Sequence, residues 1–152
     1  MVLYQDIARA VTMVVKGAFP SVHIYGDEVK EGYKKPSFFI GILPVSSINH
    51  TKNIKEEQLL ITVDYFSNTK DSLENYRVMQ ELKVAFGQVL GVENRKFTIQ
   101  ETSTQKVGED GDIYQFTFDI NYYELACNEP DSVLVGDIIY KKKGSDEWVY
   151  HQ

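Results

Sequence analysis

Two carboxylates, Asp64 and Glu101, are the residues whose types and placement come closest to a catalytic pair. Each falls on a predicted strand, and two such acids could hold Mg²⁺ while a nearby lysine orients the attacking water, as in a metal-dependent nuclease. Sites of this kind usually carry the lysine two positions after the second acid, where this chain has Ser103. The pattern favours a solvated sheet face or a subunit contact for both acids, and the nuclease stays as the alternative from a different class.

Other residue types that catalyse reactions or bind metals are sparse. The single cysteine, Cys127, cannot form an intramolecular disulfide, and His23, His50 and His151 are too scattered for a zinc site. No nucleophile elbow and no glycine-rich phosphate-binding loop occurs. His23 stands alone in a short predicted strand and is expected to be a surface or packing residue. The sequence therefore predicts no catalytic residue, no metal and no cofactor.

The composition is that of one folded domain. Of the 152 residues, 43% are hydrophobic and 12% aromatic, which is enough to build a core. Sixteen basic against 22 acidic residues leave a net charge of −6, whereas nucleic-acid binders usually carry a basic excess. The longest apolar run, residues 38–45, is too short to span a membrane, and the N-terminus lacks the basic start of a secretory signal. We expect a soluble protein made in a reducing cytoplasm, with neither a membrane nor a specific nucleic-acid sequence as partner.

The first half of the chain predicts a helix followed by three strands. Apolar residues at steps of three and four indicate an amphipathic helix over 3–18, which should end near Gly17 because Phe19-Pro20 follows. A short strand over 22–25 and an exposed charged loop over 26–35 come next. Two apolar runs, 37–43 and 58–66, then predict a long hairpin whose polar tip spans 46–56.

The second half predicts another helix and two more strands. The helix is expected over 71–90, capped by Asn68 or Thr69 and stopped by Gly91. Residues 97–103 should then pair with 113–124 through a glycine turn at 108–111, and strict alternation over 114–122 indicates one buried and one wet face. Together these elements predict an α+β fold, with two helices packed on a largely antiparallel β-sheet.

The chain continues after the last predicted strand. We divide it into a domain over 1–126 and a C-terminal extension or arm over 127–152. The lysine run 141–143 is expected to solvate a turn. Trp148 and Tyr150 are costly to leave exposed, so the extension either packs back as a hairpin or contacts another molecule.

Residues 25–40 resemble a stretch typical of the phage tail terminator family. Glu28, Gly32 and the run Pro36-Ser37-Phe38-Phe39 carry the resemblance, and the remaining elements follow in the expected order over roughly residues 3–125. The resemblance implies a tail-terminator-like sandwich and a structural part without turnover. Such proteins form a ring, commonly of six subunits, on the last ring of tail-tube protein, where they stop tube growth and provide the surface for head docking.

From this resemblance the expected partners are other copies of the chain, the tail-tube protein and a head-tail connector protein. The implied location is the virion tail or neck, assembled in the cytoplasm of the bacterial host. Another head-tail connector or neck protein of similar fold is the alternative within the structural class. Candidate interaction surfaces are the charged loop, the hairpin tip and the C-terminal aromatics, namely Asp27, Glu28, Lys30, Glu31, Lys34, Lys35, Asn49, His50, Lys52, Trp148 and Tyr150.

Overall fold

A computed structural model describes residues 1–26, 31–108 and 111–125, together with the backbone of 138–141 and 148–151. The chain forms two helices and nine strands within these ranges. In chain order they are α1 Tyr4–Ala18, β1 His23–Gly26, β2 Ser37–Asn49, β3 Ile54–Phe66, α2 Ser72–Phe86, β4 Val89–Val92, β5 Arg95–Thr98, β6 Thr102–Val107, β7 Ile113–Leu125, β8 Ile138–Lys141 and β9 Trp148–His151.

The main sheet has five strands in the order β1-β2-β3-β7-β6. β1 runs parallel to β2, and the other neighbours are antiparallel. β4 and β5 form a small hairpin of their own, as do β8 and β9. The predicted α+β class with a largely antiparallel sheet is confirmed.

Both helices cover one face of the main sheet. Ile7, Val11 and Val15 are fully buried along α1, at the three- and four-residue steps that define its apolar face. In the second helix, Phe86 packs between the rings of Phe116 and Phe118, with ring centres 5.7 and 5.0 Å away. The alternation predicted for β7 is also confirmed, because its buried members face this helical layer.

The second helix is shorter than the sequence predicts. It starts after Asp71, whose side chain accepts a hydrogen bond from the Leu73 amide, so Asn68 and Thr69 are not the cap. It ends at Gly87, whose φ of 61° lies in the left-handed region that favours glycine, and Gly91 instead lies in β4. Helical spacing also predicts that Leu73 and Tyr76 belong to the apolar face of this helix, but this is wrong, since they are 78% and 54% exposed.

Residues 97–103 are not one strand. β5 ends at Thr98 and pairs with β4, whereas β6 begins at Thr102 and pairs with β7. Between them the Ile99 amide donates to the Gln88 carbonyl, which ties the segment to the end of α2. Alternation along a sequence cannot separate two consecutive strands that belong to different sheets.

The β2–β3 hairpin is longer than predicted. Its strands extend to Asn49 and Ile54, so most of the predicted tip 46–56 is paired strand and the turn is confined to residues 50–53. A bulge between Pro44 and Ser46 shifts the register.

The sheet therefore has two unlike ends. At the proximal end, β1 pairs with residues 37–40 of β2 and β6 pairs with residues 113–118 of β7, so the sheet is five strands wide. At the distal end, which carries the β2–β3 turn, only β2, β3 and β7 continue among the described strands. The segments 126–137 and 142–147, with most of the predicted lysine turn, lie outside the described residues.

Candidate functional site

The sheet face opposite the helices, called here the open face, is the candidate site. Along its β6 edge it is polar: the Ser103 and Thr117 hydroxyls are 2.6 Å apart, and Gln105 donates a 2.6 Å hydrogen bond to Gln115. These cross-strand pairs satisfy each other on a wet surface. Polar side chains of this kind are stable in contact with water and do not by themselves indicate a binding surface. The features that could bind a partner lie at the two ends of the open face.

At the proximal end, the loop 31–36 folds back over the open face. The Tyr33 ring meets Phe39 and Phe66 edge-on, with ring centres 5.2 and 5.3 Å away, and the two phenylalanines are 4.6 Å apart. Tyr25 adds a fourth ring, 5.4 Å from Phe39. Phe39 is consequently only 6% exposed although both described helices lie on the other side of the sheet.

An ion pair holds the far side of this loop. Lys35 Nζ lies 3.1 Å from Asp112 Oδ2, next to the start of β7. This hydrogen bond keeps the pKa of Asp112 below its usual value. The loop carrying the Gly32 and Pro36 motif residues is thus tied across four neighbouring strands, β1, β2, β3 and β7.

At the distal end, the open face mixes exposed apolar side chains with polar ones, because Glu56 lies between Ile48 and Tyr123 in the register. Register places five apolar side chains on this face that are between 39% and 81% exposed. We call them the distal strip: Leu43, Ile48, Ile54, Tyr123 and Leu125. Exposed apolar side chains gathered in one patch mark interaction surfaces far more often than single ones do.

A polar cluster lies within the distal strip, because Glu56 pairs with Ile48 on one side and with Tyr123 on the other. His50 Nε2 is 2.5 Å from Glu56 Oε2, and Asn121 donates a 3.0 Å hydrogen bond to the other oxygen of Glu56. These hydrogen bonds lower the pKa of Glu56. The His50 ring also lies 5.9 Å from the ring of Tyr123, so the turn is tied to the strip.

Behind the strip, on the helical side, a buried carboxylate joins the chain's first residues to the sheet. Glu57 is 5% exposed and accepts hydrogen bonds from Tyr4 at 3.2 Å and Ser47 at 2.9 Å, with Lys55 Nζ at 3.4 Å. Sequence analysis missed this cluster. The signal was available, because position 57 shares its parity with the apolar core positions 59, 61 and 63 of β3.

The two acids of the nuclease hypothesis lie apart. Asp64 is at the same register level as Gln115 and Gln105, so Glu101 lies two strands away and four residues further on, roughly 13 Å along the strands and about 10 Å across them. Glu101 is moreover in the connection before β6. Within the described ranges, no three side chains of the metal-binding types gather into a cluster. The geometry does not support the nuclease alternative.

The predicted interaction residues fall at both ends of the sheet. Glu31 and Lys34 are exposed at the proximal end, whereas Asn49 and Lys52 are exposed at the distal end. Lys35 and His50 each make the ion pair described above. Trp148 and Tyr150 lie on β9, and Asp27, Glu28 and Lys30 lie outside the described residues.

The comparison with curated proteins found no match. One solved chain, known by a sequence identifier alone, is similar at 11% identity with a TM-score of 0.49, covering 85% of this chain and 99% of that one. A chain from the virion of a native gene transfer agent particle is similar at 11% identity with a TM-score of 0.48, covering 79% and 95%.

The described helices are not of the length and apolarity needed to cross a membrane. The family model for phage tail terminator protein matches residues 6–132, which include all but the first two residues of α1, the whole of α2, the main sheet and the loop that folds over it. The resemblance inferred from residues 3–125 is confirmed by this match. The chain belongs to the phage tail terminator protein family, whose members are structural components of the phage tail.

Proposed function

We propose that six copies of this chain form a ring on the last ring of tail-tube protein. The ring stops tube polymerisation and provides the surface on which the head-tail connector protein docks. Family membership over residues 6–132 is the observation that carries this proposal. A head-to-tail contact closes into a ring when the rotation per subunit allows it, and the two sides of the ring then meet different partners.

The positions of the candidate surfaces support a part with two partners. The loop 31–36 precedes β2 and the turn 50–53 follows it, and β2 is 13 residues long. At about 3.4 Å per residue, these two projections are roughly 40 Å apart. One subunit can therefore contact the tube with one end of its sheet and the connector with the other.

The charge of the chain is consistent with a ring through which DNA passes. The net charge of −6 disfavours tight contact with phosphates. The assembly is proposed to take place in the cytoplasm of the bacterial host, with the finished ring located at the head-proximal end of the virion tail.

The test is arrest of tube growth in a purified system. Tail-tube protein from the same phage is polymerised with increasing amounts of this chain, and tube lengths and tube ends are measured by negative-stain electron microscopy. We expect shorter tubes that carry a ring at one end, and we expect those capped tubes to bind purified connector. Tubes of unchanged length, with the chain bound to connector or portal complexes alone, would instead identify a neck protein of similar fold.

Charge-reversal variants test which end of the sheet contacts the tube and which end contacts the connector. Lys34→Glu and Lys52→Glu change exposed residues at the proximal and distal ends, and Lys96→Glu on β5 is the matched control. We expect one variant to weaken tube capping and the other to weaken connector binding, whereas the control retains both. Equal behaviour of all three variants would remove these surfaces from the proposal.

A further inference from the structure

Both edges of the main sheet lack a neighbouring strand within the part of the chain that the structure describes. β1 pairs with β2 alone and β6 pairs with β7 alone, so each edge strand presents a row of backbone N–H and C=O groups on its outer side. Proteins usually protect such edges with proline, several charges or a bulge. β6 has neither proline nor bulge, and Lys106 is its one charged residue. An edge of this kind can pair with a strand of another molecule.

The two edge strands lie at the same level of the sheet. Through their partners in β2, β3 and β7, Ile24 of β1 is aligned with Lys106 of β6. By the same alignment, His23 is level with Val107. A rotation about an axis along the strands therefore brings β6 of one copy beside β1 of another without a shift along that axis. A closed ring requires this property, because a shift at every contact would build an open helix.

The strand directions fit the same arrangement. β1 is parallel to β2, and each following pair across the sheet is antiparallel, so β6 runs opposite to β1. The rotation that builds a ring keeps the direction of each strand along the ring axis. β6 of one copy therefore meets β1 of the next as an antiparallel pair, which is slightly more stable per residue than a parallel one.

We propose that β6 of one subunit pairs with β1 of a second copy of this chain, so that the main sheets of neighbouring subunits join into one continuous sheet. The proposal deepens the proposed function, on which it rests for the ring, by naming the two strands that join neighbouring subunits. The shared level of the strands predicts a register in which His23 of one copy lies opposite Val107 of the other, on the open face.

Each copy then offers two different edges, which is the head-to-tail arrangement of a closed ring. Pairing of β6 with β6 of a second copy would instead leave both β1 edges unused and end at a dimer. Five strands at a spacing of about 4.8 Å make each subunit roughly 24 Å wide, so six joined subunits enclose a circle roughly 45 Å across. A circle of strands this wide leaves room for a DNA duplex.

A pair of cysteines tests the predicted contact in the full-length chain. His23→Cys and Val107→Cys are introduced together after Cys127→Ser has removed the natural thiol. Within one chain these positions lie on opposite edges of the sheet, roughly 19 Å apart, whereas a disulfide needs Cα atoms within about 7 Å. A disulfide between them therefore joins two chains. The matched control combines His23→Cys with Lys96→Cys, at an exposed position on β5.

The variants are oxidised at concentrations up to millimolar, after circular dichroism has shown that each is folded. We expect the double-cysteine chain to give a ladder of bands at successive multiples of the chain mass on a non-reducing denaturing gel. The two single-cysteine chains, mixed in equal amounts, should give crosslinked dimers and nothing larger. Each single-cysteine chain alone, and the control, should remain monomeric on the gel.

Hydrogen exchange of the natural chain measures the same contact without any substitution. Pairing places new backbone hydrogen bonds on the outer sides of both edge strands, and hydrogen-bonded amides exchange slowly. We therefore expect exchange to slow over residues 23–26 and 102–107 as the concentration rises from micromolar to millimolar. Exchange over residues 95–98 of β5 should stay unchanged.

Three results would overturn the proposal: a double-cysteine chain that stays monomeric after oxidation at millimolar concentration, equal crosslinking of the control, or slowed exchange over 102–107 without 23–26. The last result would show that two copies join symmetrically through β6. Crosslinked rings that fail to shorten tubes would refute the proposed function alone. Tubes that the double-cysteine chain caps with rings lacking the 23–107 disulfide would refute the edge pairing alone.

Discussion

The hydroxyl of Ser67 donates a 2.6 Å hydrogen bond to the side-chain oxygen of Asn75. Ser67 follows the last residue of β3 and Asn75 lies in the first turns of α2, and both are at most 3% exposed. Asn75 also donates to the Thr69 carbonyl at 3.3 Å, and the Thr69 amide donates to Ser67 at 3.1 Å. The turn that brings the second helix back onto the sheet is therefore held by a closed polar network.

Removing the Asn75 side chain should destabilise the fold. The Asn75→Ala variant leaves the buried Ser67 hydroxyl and the Thr69 carbonyl without these partners, and we expect the free energy of unfolding to fall by about 1–3 kcal/mol. Urea unfolding followed by circular dichroism measures the change. Gln80→Ala, at an exposed position of the same helix, should stay within about 0.5 kcal/mol of the natural chain. Equal losses in the two variants would show that the network contributes nothing of its own.

The Tyr33 ring should hold the loop 31–36 on the open face. Tyr33→Ala removes two edge-on ring contacts and uncovers Phe39 and Phe66, so we expect a loss of about 1–2 kcal/mol and increased binding of a hydrophobic dye. Tyr33→Phe keeps the ring and should behave like the natural chain. If the alanine variant matches the phenylalanine variant in both measurements, the loop is held by other contacts.

The Lys35–Asp112 pair should be visible in the titration of one carboxyl group. Lys35→Met removes the charged partner that lowers the pKa of Asp112, so this pKa should rise towards the ordinary aspartate value of about 3.9. Nuclear magnetic resonance of the carboxyl carbon measures it directly. Lys34→Met changes the neighbouring lysine, for which we expect an unchanged Asp112 pKa. A Lys35→Met titration curve that overlays the natural one would mean that the pair does not persist in solution.

Stability should decline in strongly alkaline solution because of Tyr122. Burial raises its pKa, and the carboxylates of Glu124 and Glu57 raise it further. The native state therefore holds the phenolic proton more tightly than the unfolded chain, whose tyrosine pKa is about 10. The resulting stabilisation is fully present below pH 10 and is lost as the pH rises above it.

The measurement is the melting temperature between pH 8 and pH 12, together with tyrosinate absorbance. The Tyr122 hydroxyl has no hydrogen-bond partner among the described groups, so Tyr122→Phe should fold normally and lose less stability above pH 10. Some decline should remain, because burial also raises the pKa of Tyr65. A Tyr122→Phe variant with the full alkaline decline would contradict this assignment.

Local patterns predicted some elements closely and others poorly. The three- and four-residue steps of Ile7, Val11 and Val15 placed α1 to within a residue or two at each end, and strict alternation placed the buried face of β7. The end of α2 was wrong because Gly87 and Gly91 are both plausible stops in the sequence. The left-handed backbone at Gly87 depends on how the following hairpin packs.

The sequence also predicted some features of the candidate site and missed others. Residue types alone indicated that the loop near Pro36 and the β2–β3 turn are exposed and charged. They could not show that Lys35 and His50 are engaged by Asp112 and Glu56, since these contacts join residues from different strands. The distal strip was also missed, because Ile48, Ile54 and Leu125 come from three strands and meet only through their register.

The sequence by itself determined the α+β class, the apolar face of the first helix, the alternation of the last main strand and the family. These properties depend on the order and spacing of residue types, because apolar residues that repeat with the period of a helix or a strand form the buried face of that element. Tertiary structure alone decided which half of the open face is covered and which is left bare. That outcome follows from strand register and from the fold-back of one loop, both of which depend on contacts between residues far apart in the chain.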